Sequence, residues 1–390
     1  MIRSSQRIPL YTQIRQYILD QIEQKKWLPG DKIPSENELA ERFNVSRITV
    51  KNALSKLNED GLIFRVQGKG SFISPDPLGE PLIYSPEPAK NTKNKGLVAY
   101  LMPRLRNSFT ARMLDGIESE LAKNGYRLIF CKTNDSQEIE KEALQEVIQL
   151  GVKGIIIFPV DGETYSEDIL RLTLVDFPVV VVDRYLRGIE TNCVHADNVE
   201  GARVATAHLI SLNHRKIGFL STSYPGTTSL EDRLAGYEKA LAEHNIPVEH
   251  RLRLTHFAPE PMNAILNEGI ADETSKKEIQ TFLKENPDIT GVFAVNSSVG
   301  LTLMEAALEL GIRVPEQLSV VFFDNYEFAP WSSIPPTCIS QVEYDIGKES
   351  VRLLISVMEN PKQVRRKIVL PNKLIVRKST APCAVNHAPL

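Results

Sequence analysis

The sequence predicts a multidomain α/β protein in which an amino-terminal winged helix-turn-helix precedes a two-lobed, doubly wound α/β domain. The first observation is a run of three helical patterns and a hairpin pattern within the first 74 residues. The second is a regular alternation of short apolar strands and amphipathic helices after Lys95, which is typical of parallel sheets with helices on both faces. A chain of 390 residues is also too long for a single core. We therefore predict domains at 1–74 and 95–380, separated by a stiff linker at 75–94 that contains five prolines.

The first 74 residues contain the start signals of three helices. Ser35 has Glu38 three residues later, which is the spacing of a capping box for the second helix, and Ser46 is a good N-cap for the third. Residues 62–66 and 71–74 predict the two strands of a hairpin. Apolar residues at near-fourfold spacing predict the first helix: Leu10, Ile14, Ile18 and Ile22.

Residues 95–324 contain two similar series of strands and helices. The first series has strands at 96–102, 127–131, 154–158 and 179–182, with helices near 111–124, 138–150 and 165–173. The second has strands at 216–221, 252–256, 291–295 and 319–323, with helices near 199–212, 231–244, 274–285 and 298–310. Two such series predict two similar lobes, which we place at 95–196 plus 325–341 and at 197–324 plus 342–378.

Basic charge is concentrated in the amino-terminal segment. Residues 1–74 contain 12 Lys and Arg against 8 Asp and Glu, whereas the other 316 residues contain 34 against 41. A basic head on an acidic body indicates that the head meets a polyanion. The amino terminus lacks an apolar leader, no apolar stretch approaches the length of a membrane span, and the four cysteines lie far apart. We therefore expect a cytoplasmic protein with reduced thiols and no membrane partner.

The outward face of the third predicted helix is polar and basic. A helix fits the major groove of DNA, with its first turn closest to the base edges. Arg47 can form a forked contact with guanine, whereas Lys51 suits a phosphate. On these features alone, a helical hairpin with a solvated polar face remains the alternative. The residues on this face are Ser46, Arg47, Thr49, Lys51 and Asn52.

Residues 8–74 resemble the GntR-family winged helix over their whole length. The motifs are L-P-G-D-K-I-P-S-E-N-E-L-A, V-S-R-I-T-V and G-L-I-F-R-V-Q-G-K-G-S-F-I. Lys51 stands where the family usually has Arg, and this favours a phosphate contact because a single ammonium cannot fork onto guanine. The resemblance implies a reader of double-stranded DNA whose contacts are Ser35, Glu36, Ser46, Arg47, Thr49, Lys51, Gln67 and Lys69, the last two on the wing.

No motif in the chain predicts catalysis. The segment 68–71 lacks the spacing of a phosphate loop and lies between two predicted strands. The sequence offers no G-x-G-x-x-G after a strand, no metal-ligand cluster and no evident nucleophile–base pair. We therefore expect no enzyme activity, no cofactor and no metal.

Polar side chains follow several predicted strands of the body. Doubly wound lobes bind ligands at the carboxyl ends of their strands. Carbohydrate hydroxyl groups both donate and accept hydrogen bonds, so carboxylates, guanidinium groups and amides beside aromatic rings are typical of sugar binding. Taken one at a time, Asp183, Arg184 and Asp324 can equally cap helices or pair with each other. The residues at these strand ends are Asn107, Phe109, Asp183, Arg184, Asn296 and Asp324, and Arg233 lies on the helix after another strand.

Residues 95–378 resemble the LacI-type regulatory core, which shares its fold with periplasmic sugar-binding proteins. The motifs include V-V-V-V-D-R, H-A-D-N-V-E-G-A, R-L-A-G-Y-E-K-A-L and C-I-S-Q-V-E-Y-D-I-G. Thr110, Ser297-Ser298 and Phe322 depart from the pattern of ribose-binding members, which leaves room for a different sugar. The resemblance implies ligand contacts at Asn107, Phe109, Asp183, Arg184, Arg233, Asn296, Asp324 and Gln341.

A GntR-type head on a LacI-type body is the arrangement of the arabinose-repressor subfamily. The resemblance implies a homodimer that binds operator DNA, represses sugar-utilisation genes and is released by a small sugar effector, with a pentose such as arabinose or ribose favoured. A hexose, a nucleoside or a sugar phosphate remains an alternative effector. The competing class is a solute-binding protein without DNA function.

Overall fold

The structure is a computed structural model that describes residues 9–74, 95–105, 107–160, 167–223, 226–257, 271–326 and 329–383. The predicted linker at 75–94 lies outside the described residues. The described residues form two compact units, one on each side of that segment.

The amino-terminal unit packs three helices against a two-stranded hairpin. The helices are α1 (Leu10–Glu23), α2 (Glu36–Phe43) and α3 (Arg47–Glu59), and the hairpin pairs β1 (Ile63–Val66) with β2 (Gly70–Ile73) in antiparallel register. Buried apolar residues from all five elements form one core. The predicted winged helix-turn-helix is therefore confirmed.

Local hydrogen bonds explain where α2 and α3 begin. The Ser35 hydroxyl accepts a hydrogen bond from the Glu38 backbone at 3.3 Å, and the Glu38 carboxylate accepts one from the Ser35 backbone at 2.7 Å. This is the capping box that the sequence predicts. The Ser46 hydroxyl accepts a hydrogen bond from the backbone of Thr49 at 3.2 Å and so caps α3. Asn44, between the two helices, has a left-handed backbone with φ 51°, which ends α2 and turns the chain into α3.

The carboxy-terminal unit contains two six-stranded sheets, one in each lobe. The first has the order β13-β7-β6-β5-β3-β4 and the second β14-β12-β11-β10-β8-β9. All neighbours are parallel except the edge strand β14, which runs antiparallel to β12. In the first lobe the strands are β3 (Gly96–Met102), β4 (Tyr126–Lys132), β5 (Gly154–Ile157), β6 (Val179–Val182), β7 (Cys193–Ala196) and β13 (Lys367–Leu370). In the second they are β8 (Ile217–Thr222), β9 (Arg253–Phe257), β10 (Gly291–Ala294), β11 (Ser319–Phe323), β12 (Thr337–Ser340) and β14 (Lys373–Ile375).

Helices cover these sheets, as the alternating pattern predicts. In chain order they are α4 (Ser108–Lys123), α5 (Gln137–Gln149), α6 (Glu167–Leu174), α7 (Asn198–Ser211), α8 (Thr228–Glu243), α9 (Glu273–Glu285), α10 (Ser297–Glu309) and α11 (Glu343–Glu359). Two separate apolar clusters involve the first sheet, and one large cluster surrounds the second. The doubly wound, two-lobed architecture is confirmed. Among the described residues, no helix is both long enough and apolar enough to span a bilayer.

The assignment of the last part of the chain to the lobes differs from the prediction. Segment 325–341 was expected in the first lobe, but its strand β12 pairs with β11 of the second sheet. Segment 342–378 was expected in the second lobe, but α11 packs against α4 and the strands of the first sheet, and β13 pairs there with β7. Only β14 of that segment joins the second sheet. The chain therefore crosses between the lobes three times: after β7, after β12, and between β13 and β14.

The close approach of α4 and α11 explains why α11 belongs to the first lobe. A Cβ atom built on Gly116 would lie 2.1 Å from the Tyr344 carbonyl oxygen, and one built on Gly347 would lie 2.3 Å from the Met113 carbonyl oxygen. Two glycines facing each other thus allow the helix backbones into direct contact. No element was predicted at 343–359, so this long-range packing was missed.

Candidate functional site

The amino-terminal unit exposes the basic end of α3. Arg47 and Lys51 are exposed, while Val50, Ala53, Leu54 and Leu57 bury the opposite face of the helix. The hydroxyl groups of Ser46 and Thr49 are 2.9 Å apart and hydrogen-bonded. These two predicted contact residues therefore also fix the first turn of α3, which orients Arg47 beside them.

The remaining predicted residues of the head lie on α2 and the hairpin. Ser35 is engaged in the capping box, and Glu36 forms an ion pair with Arg65 of β1 at 3.5 Å. Gln67 and Lys69 are exposed at the hairpin tip. Gly68 (φ 75°) and Gly70 (φ 116°) supply the left-handed backbone that this tight tip needs.

Two residues at the centre of the outward face of α3 were not among the predicted DNA contacts: Ile48 and Asn52. Ile48 is 71% exposed, and Asn52, one turn further on, is exposed as well. At 100° per residue, both point directly away from the buried face of the helix. The periodicity of the buried residues in this helix is the signal that locates them.

In the first lobe, the predicted ligand residues gather around an aromatic ring. Phe109 contacts Phe158 edge-on, with ring centroids 6.4 Å apart, and the Arg184 guanidinium lies over the Phe158 ring, 4.8 Å from its centroid. Arg184 also donates a hydrogen bond to the Pro159 carbonyl at 3.0 Å. Phe158 was not predicted as a site residue, because an aromatic at a strand end is hard to distinguish from core.

Asn107 and Asn296 cap helices at the carboxyl ends of strands in different lobes. The Asn107 side-chain oxygen accepts a hydrogen bond from the Thr110 backbone at 3.0 Å, at the start of α4. The Asn296 side-chain oxygen accepts one from the Val299 backbone at 2.9 Å, at the start of α10. Both amides use their oxygen for the helix, so what they can offer a ligand is the amide nitrogen.

Asp183 and Asp324 occupy equivalent positions in the two lobes, because the two sheets have the same strand order. Asp183 follows β6 with φ 67°, and Asp324 follows β11 with φ 75°. A left-handed backbone conformation is uncommon at residues other than glycine, although Asp tolerates it better than most residues. Asp183 is buried and lies 3.6 Å from Arg184.

Arg233 of α8 is buried in the second lobe, with a relative exposure of 5%. Its guanidinium donates hydrogen bonds to the Asn198 side chain at 2.9 Å and to the Val295 carbonyl at 2.8 Å, and it lies 4.0 Å from the centroid of the Phe323 ring. Burial lowers the pKa of this guanidinium, and the negative charges of Asp324 and Asp183 oppose that change. Both aspartates are therefore close enough to act on Arg233. Asn198 and Phe323 were not predicted from the sequence.

Gln341 lies where the chain crosses from the second lobe to the first. Its side-chain nitrogen donates a hydrogen bond to Asp324 at 2.7 Å. Gln341 is only 2% exposed, and its buried side-chain oxygen has no hydrogen-bond partner among the described residues. An unpaired buried acceptor costs free energy, so this oxygen is suited to a ligand that brings a donor.

Two buried carboxylic acids lie near these predicted ligand residues. Burial raises the pKa of Glu140 to about 7, although the Val160 backbone donates a hydrogen bond to its carboxylate at 2.9 Å and the charge of Arg184 favours ionisation. Burial, and the nearby charge of Asp324, raise the pKa of Glu343 to about 7. Glu140 thus holds the backbone next to Pro159, which in turn holds Arg184.

The structure therefore brings Asp183, Arg184, Arg233, Asp324 and Gln341 into one charged and amide-rich cluster between the lobes. Asn107, Phe109 and Asn296 lie at neighbouring strand ends. The eight predicted residues of the head belong to the other compact unit.

Comparisons with known proteins match both units. Residues 10–73 match the family model of bacterial regulatory proteins, gntR family, and residues 206–380 match that of a periplasmic binding protein-like domain. An arabinose metabolism transcriptional repressor of Geobacillus stearothermophilus is 31% identical over 385 residues, with 96% of this chain and 98% of that protein covered. A ribose operon repressor of Halalkalibacterium halodurans is 27% identical over 288 residues, with coverages of 74% and 80%.

Among solved structures, a LacI family transcriptional regulator from Enterococcus faecium with bound ribose superposes with a TM-score of 0.62 and 26% identity. The superposition covers 74% of this chain and 100% of the solved chain.

Proposed function

The chain belongs to the gntR family of bacterial regulatory proteins, and we propose that it is a sequence-specific repressor of sugar-utilisation genes. A monosaccharide bound between the two lobes changes its affinity for operator DNA, and a pentose such as arabinose or ribose is favoured. The Geobacillus stearothermophilus relative, which matches over 98% of its length, is named an arabinose metabolism transcriptional repressor, and the similar solved structure from Enterococcus faecium contains bound ribose.

The observation that carries the effector proposal is the cluster of Asp183, Arg184, Arg233, Asp324 and Gln341. It presents carboxylate acceptors, guanidinium donors and an unpaired amide oxygen from residues of both lobes. Ring hydroxyl groups can donate to the carboxylates and to Gln341 and accept from the guanidinium groups. Hydrogen bonds to charged groups contribute roughly 1.5–3 kcal/mol each, so a few of them give useful affinity.

The charges of the cluster also bear on the alternative effectors. The charges of Asp183 and Asp324 balance those of Arg184 and Arg233, so the cluster offers no net positive charge to a phosphate group, and a neutral sugar fits better than a sugar phosphate. Calorimetry with L-arabinose, D-ribose, D-glucose and ribose 5-phosphate tests this point. The proposal predicts heat from at least one neutral pentose, and binding of the phosphate alone would contradict it.

The head reads DNA through α3 and the hairpin tip. Arg47 contacts guanine in the major groove, Lys51 neutralises a phosphate, and Gln67 and Lys69 reach the duplex from the wing. Ser35, Glu36, Ser46 and Thr49 shape the first turns of α2 and α3 and lie beside the DNA. Only a regulator retains a specific fragment with strong salt dependence, which separates this function from that of a solute-binding protein.

Two protomers pair through the body and present two heads to a pseudo-palindromic operator. The major-groove half-sites then lie about one helical turn, roughly 34 Å, apart. Sugar closes the lobes and changes how the heads are held, so DNA is released. A tenfold loss of DNA affinity requires about 1.4 kcal/mol of coupling between the two sites.

A further inference from the structure

A small set of polar contacts joins the two lobes beside the ligand cluster. The loop after β6 in the first lobe meets the first two turns of α8 in the second. The Tyr185 hydroxyl donates a hydrogen bond to the Asp232 carboxylate at 2.9 Å. The Thr228 hydroxyl accepts one from the Tyr185 backbone at 3.3 Å and donates one to the Tyr185 carbonyl at 3.1 Å. We call Tyr185, Thr228 and Asp232 the interlobe clasp.

Charged and aromatic groups surround the clasp on the side of the first lobe. The Lys367 ammonium of β13 lies 3.4 Å from the centroid of the Tyr185 ring, and the His195 ring of β7 lies 5.4 Å from it. Arg187 and Glu231 form an ion pair alongside, between the same loop and the same helix. Burial raises the pKa of Tyr185 to about 12, so its hydroxyl remains a hydrogen-bond donor at neutral pH.

Two residues of the clasp are neighbours in sequence of predicted ligand residues, one in each lobe. Tyr185 follows Asp183 and Arg184, and Asp232 precedes Arg233. Three hydrogen bonds, one of them between the side chains of Tyr185 and Asp232, therefore hold together two backbone segments that each supply a guanidinium to the cluster.

We propose that Tyr185 and Asp232 are positioning residues that hold Arg184 and Arg233 at the separation a bound sugar requires. This inference rests on the proposed function. The hydrogen bond crosses the lobes, so we expect separation of the lobes to break it and the bond to favour the closed arrangement. A ligand that needs closed lobes binds with an apparent Kd that rises as the closed fraction falls.

Single and double substitutions at the clasp test the proposal. We would measure the Kd for L-arabinose and D-ribose by calorimetry for the wild type, Tyr185→Phe, Asp232→Ala and the double variant, all in the full chain. Each single variant is expected to raise the Kd about 5- to 20-fold for a sugar that the wild type binds. The Kd of the double variant should be no higher than that of the single variant with the higher Kd, because all three variants lose the same hydrogen bond.

Tyr237→Phe is the matched control. Tyr237 lies on the same helix, and its hydroxyl donates a hydrogen bond to the Ile217 carbonyl at 2.8 Å within the second lobe. This variant loses a tyrosine hydrogen bond that does not cross the lobes, so its sugar Kd should stay within about twofold of the wild type. Single clasp variants with the wild-type Kd, additive losses in the double variant, or an equal loss in Tyr237→Phe would each overturn the proposal.

Amide hydrogen exchange without sugar separates the clasp from the proposed function. A wild type that binds neither sugar would contradict the effector proposal, and the clasp is then judged by exchange alone. The clasp predicts faster exchange in segment 183–190 for Tyr185→Phe and Asp232→Ala than for the wild type and Tyr237→Phe. Unchanged exchange in that segment overturns it.

Discussion

At the scale of single residues, the two-lobed body buries the positively charged side chain of Arg233. Arg233 is buried, but two hydrogen bonds, the Phe323 ring and two aspartates compensate its charge. One guanidinium nitrogen donates to Asn198 and another to the Val295 carbonyl, which orients the planar group. Such a preorganised donor loses little side-chain entropy when a ligand hydroxyl arrives.

Replacing this donor should separate sugar binding from DNA binding. Arg233→Met retains most of the side-chain volume but removes the charge and its hydrogen bonds. We expect sugar affinity to fall about 10- to 150-fold, since a charged hydrogen bond contributes roughly 1.5–3 kcal/mol. Calorimetry measures this loss, and a mobility-shift assay should show unchanged operator affinity that sugar no longer alters. Intact sugar affinity in a folded variant would remove Arg233 from the site.

The reverse separation should follow from a change on α3. Arg47→Ala removes the group that can fork onto guanine and should lose about 1–3 kcal/mol of discrimination between operator and unrelated DNA. Lys56→Ala is the control, because Lys56 is an exposed cation at the other end of the same helix. Competition binding against unrelated DNA measures the discrimination. Equal effects of the two substitutions would show that only net charge matters.

A buried acid should make stability depend on pH. The pKa of Glu140 is raised from 4.5 to about 7, so between these values the folded state keeps a proton that the unfolded state has lost. Raising the pH from 5 to 8 should therefore lower the free energy of unfolding of the wild type relative to Glu140→Gln, by about 2–3 kcal/mol. Urea unfolding at both pH values measures this, with Glu138→Gln as an exposed control. A constant difference between wild type and Glu140→Gln would contradict it.

At the scale of helices and strands, the elements up to Asp324, except strand β7 (Cys193–Ala196), could be predicted to within a few residues. Their strands are short apolar runs such as Val179–Val182, and helix starts such as Ser35 and Ser46 have caps that are visible in the sequence. The lobe that receives β12 and α11 could not be predicted. That choice depends on pairing with β11 and on contact with α4, which are distant in the chain.

The contact between α4 and α11 has a direct test. Gly347→Ala would place a methyl group 2.3 Å from the Met113 carbonyl oxygen, so the helices must separate. We expect a loss of about 1–3 kcal/mol in the free energy of unfolding of the body, as for other overpacked cores. Glu359→Ala, at the exposed end of the same helix, should have little effect. Thermal or urea unfolding compares the two variants with the wild type. A Gly347→Ala protein as stable as the wild type would refute the close packing of α4 and α11.

The candidate ligand site was predictable in part, for a physical reason. Parallel sheets bring the carboxyl ends of their strands together, so polar residues after apolar strands could be selected from the sequence. Phe158, Phe323 and Asn198 were missed because apolar or capping residues at such positions look like ordinary core. The unpaired oxygen of Gln341 and the clasp between Tyr185 and Asp232 require knowledge of distances between side chains.

At the scale of the whole molecule, the chain links a basic DNA-reading unit to an acidic two-lobed body. Three crossings of the chain connect the two lobes. In the proposed function, a sugar contacts Arg184 in one lobe and Arg233 in the other, and it therefore binds more tightly when the lobes are closed. Such a difference is the only means by which a ligand shifts a conformational equilibrium.

The most direct test is an operator titration in a mobility-shift assay, with and without saturating L-arabinose or D-ribose. DNA from upstream of the genes next to the chain's own gene would serve as the operator source. The account predicts at least a tenfold weaker operator affinity with sugar, which corresponds to about 1.4 kcal/mol. An operator affinity that stays the same or increases when a bound sugar is present would contradict it.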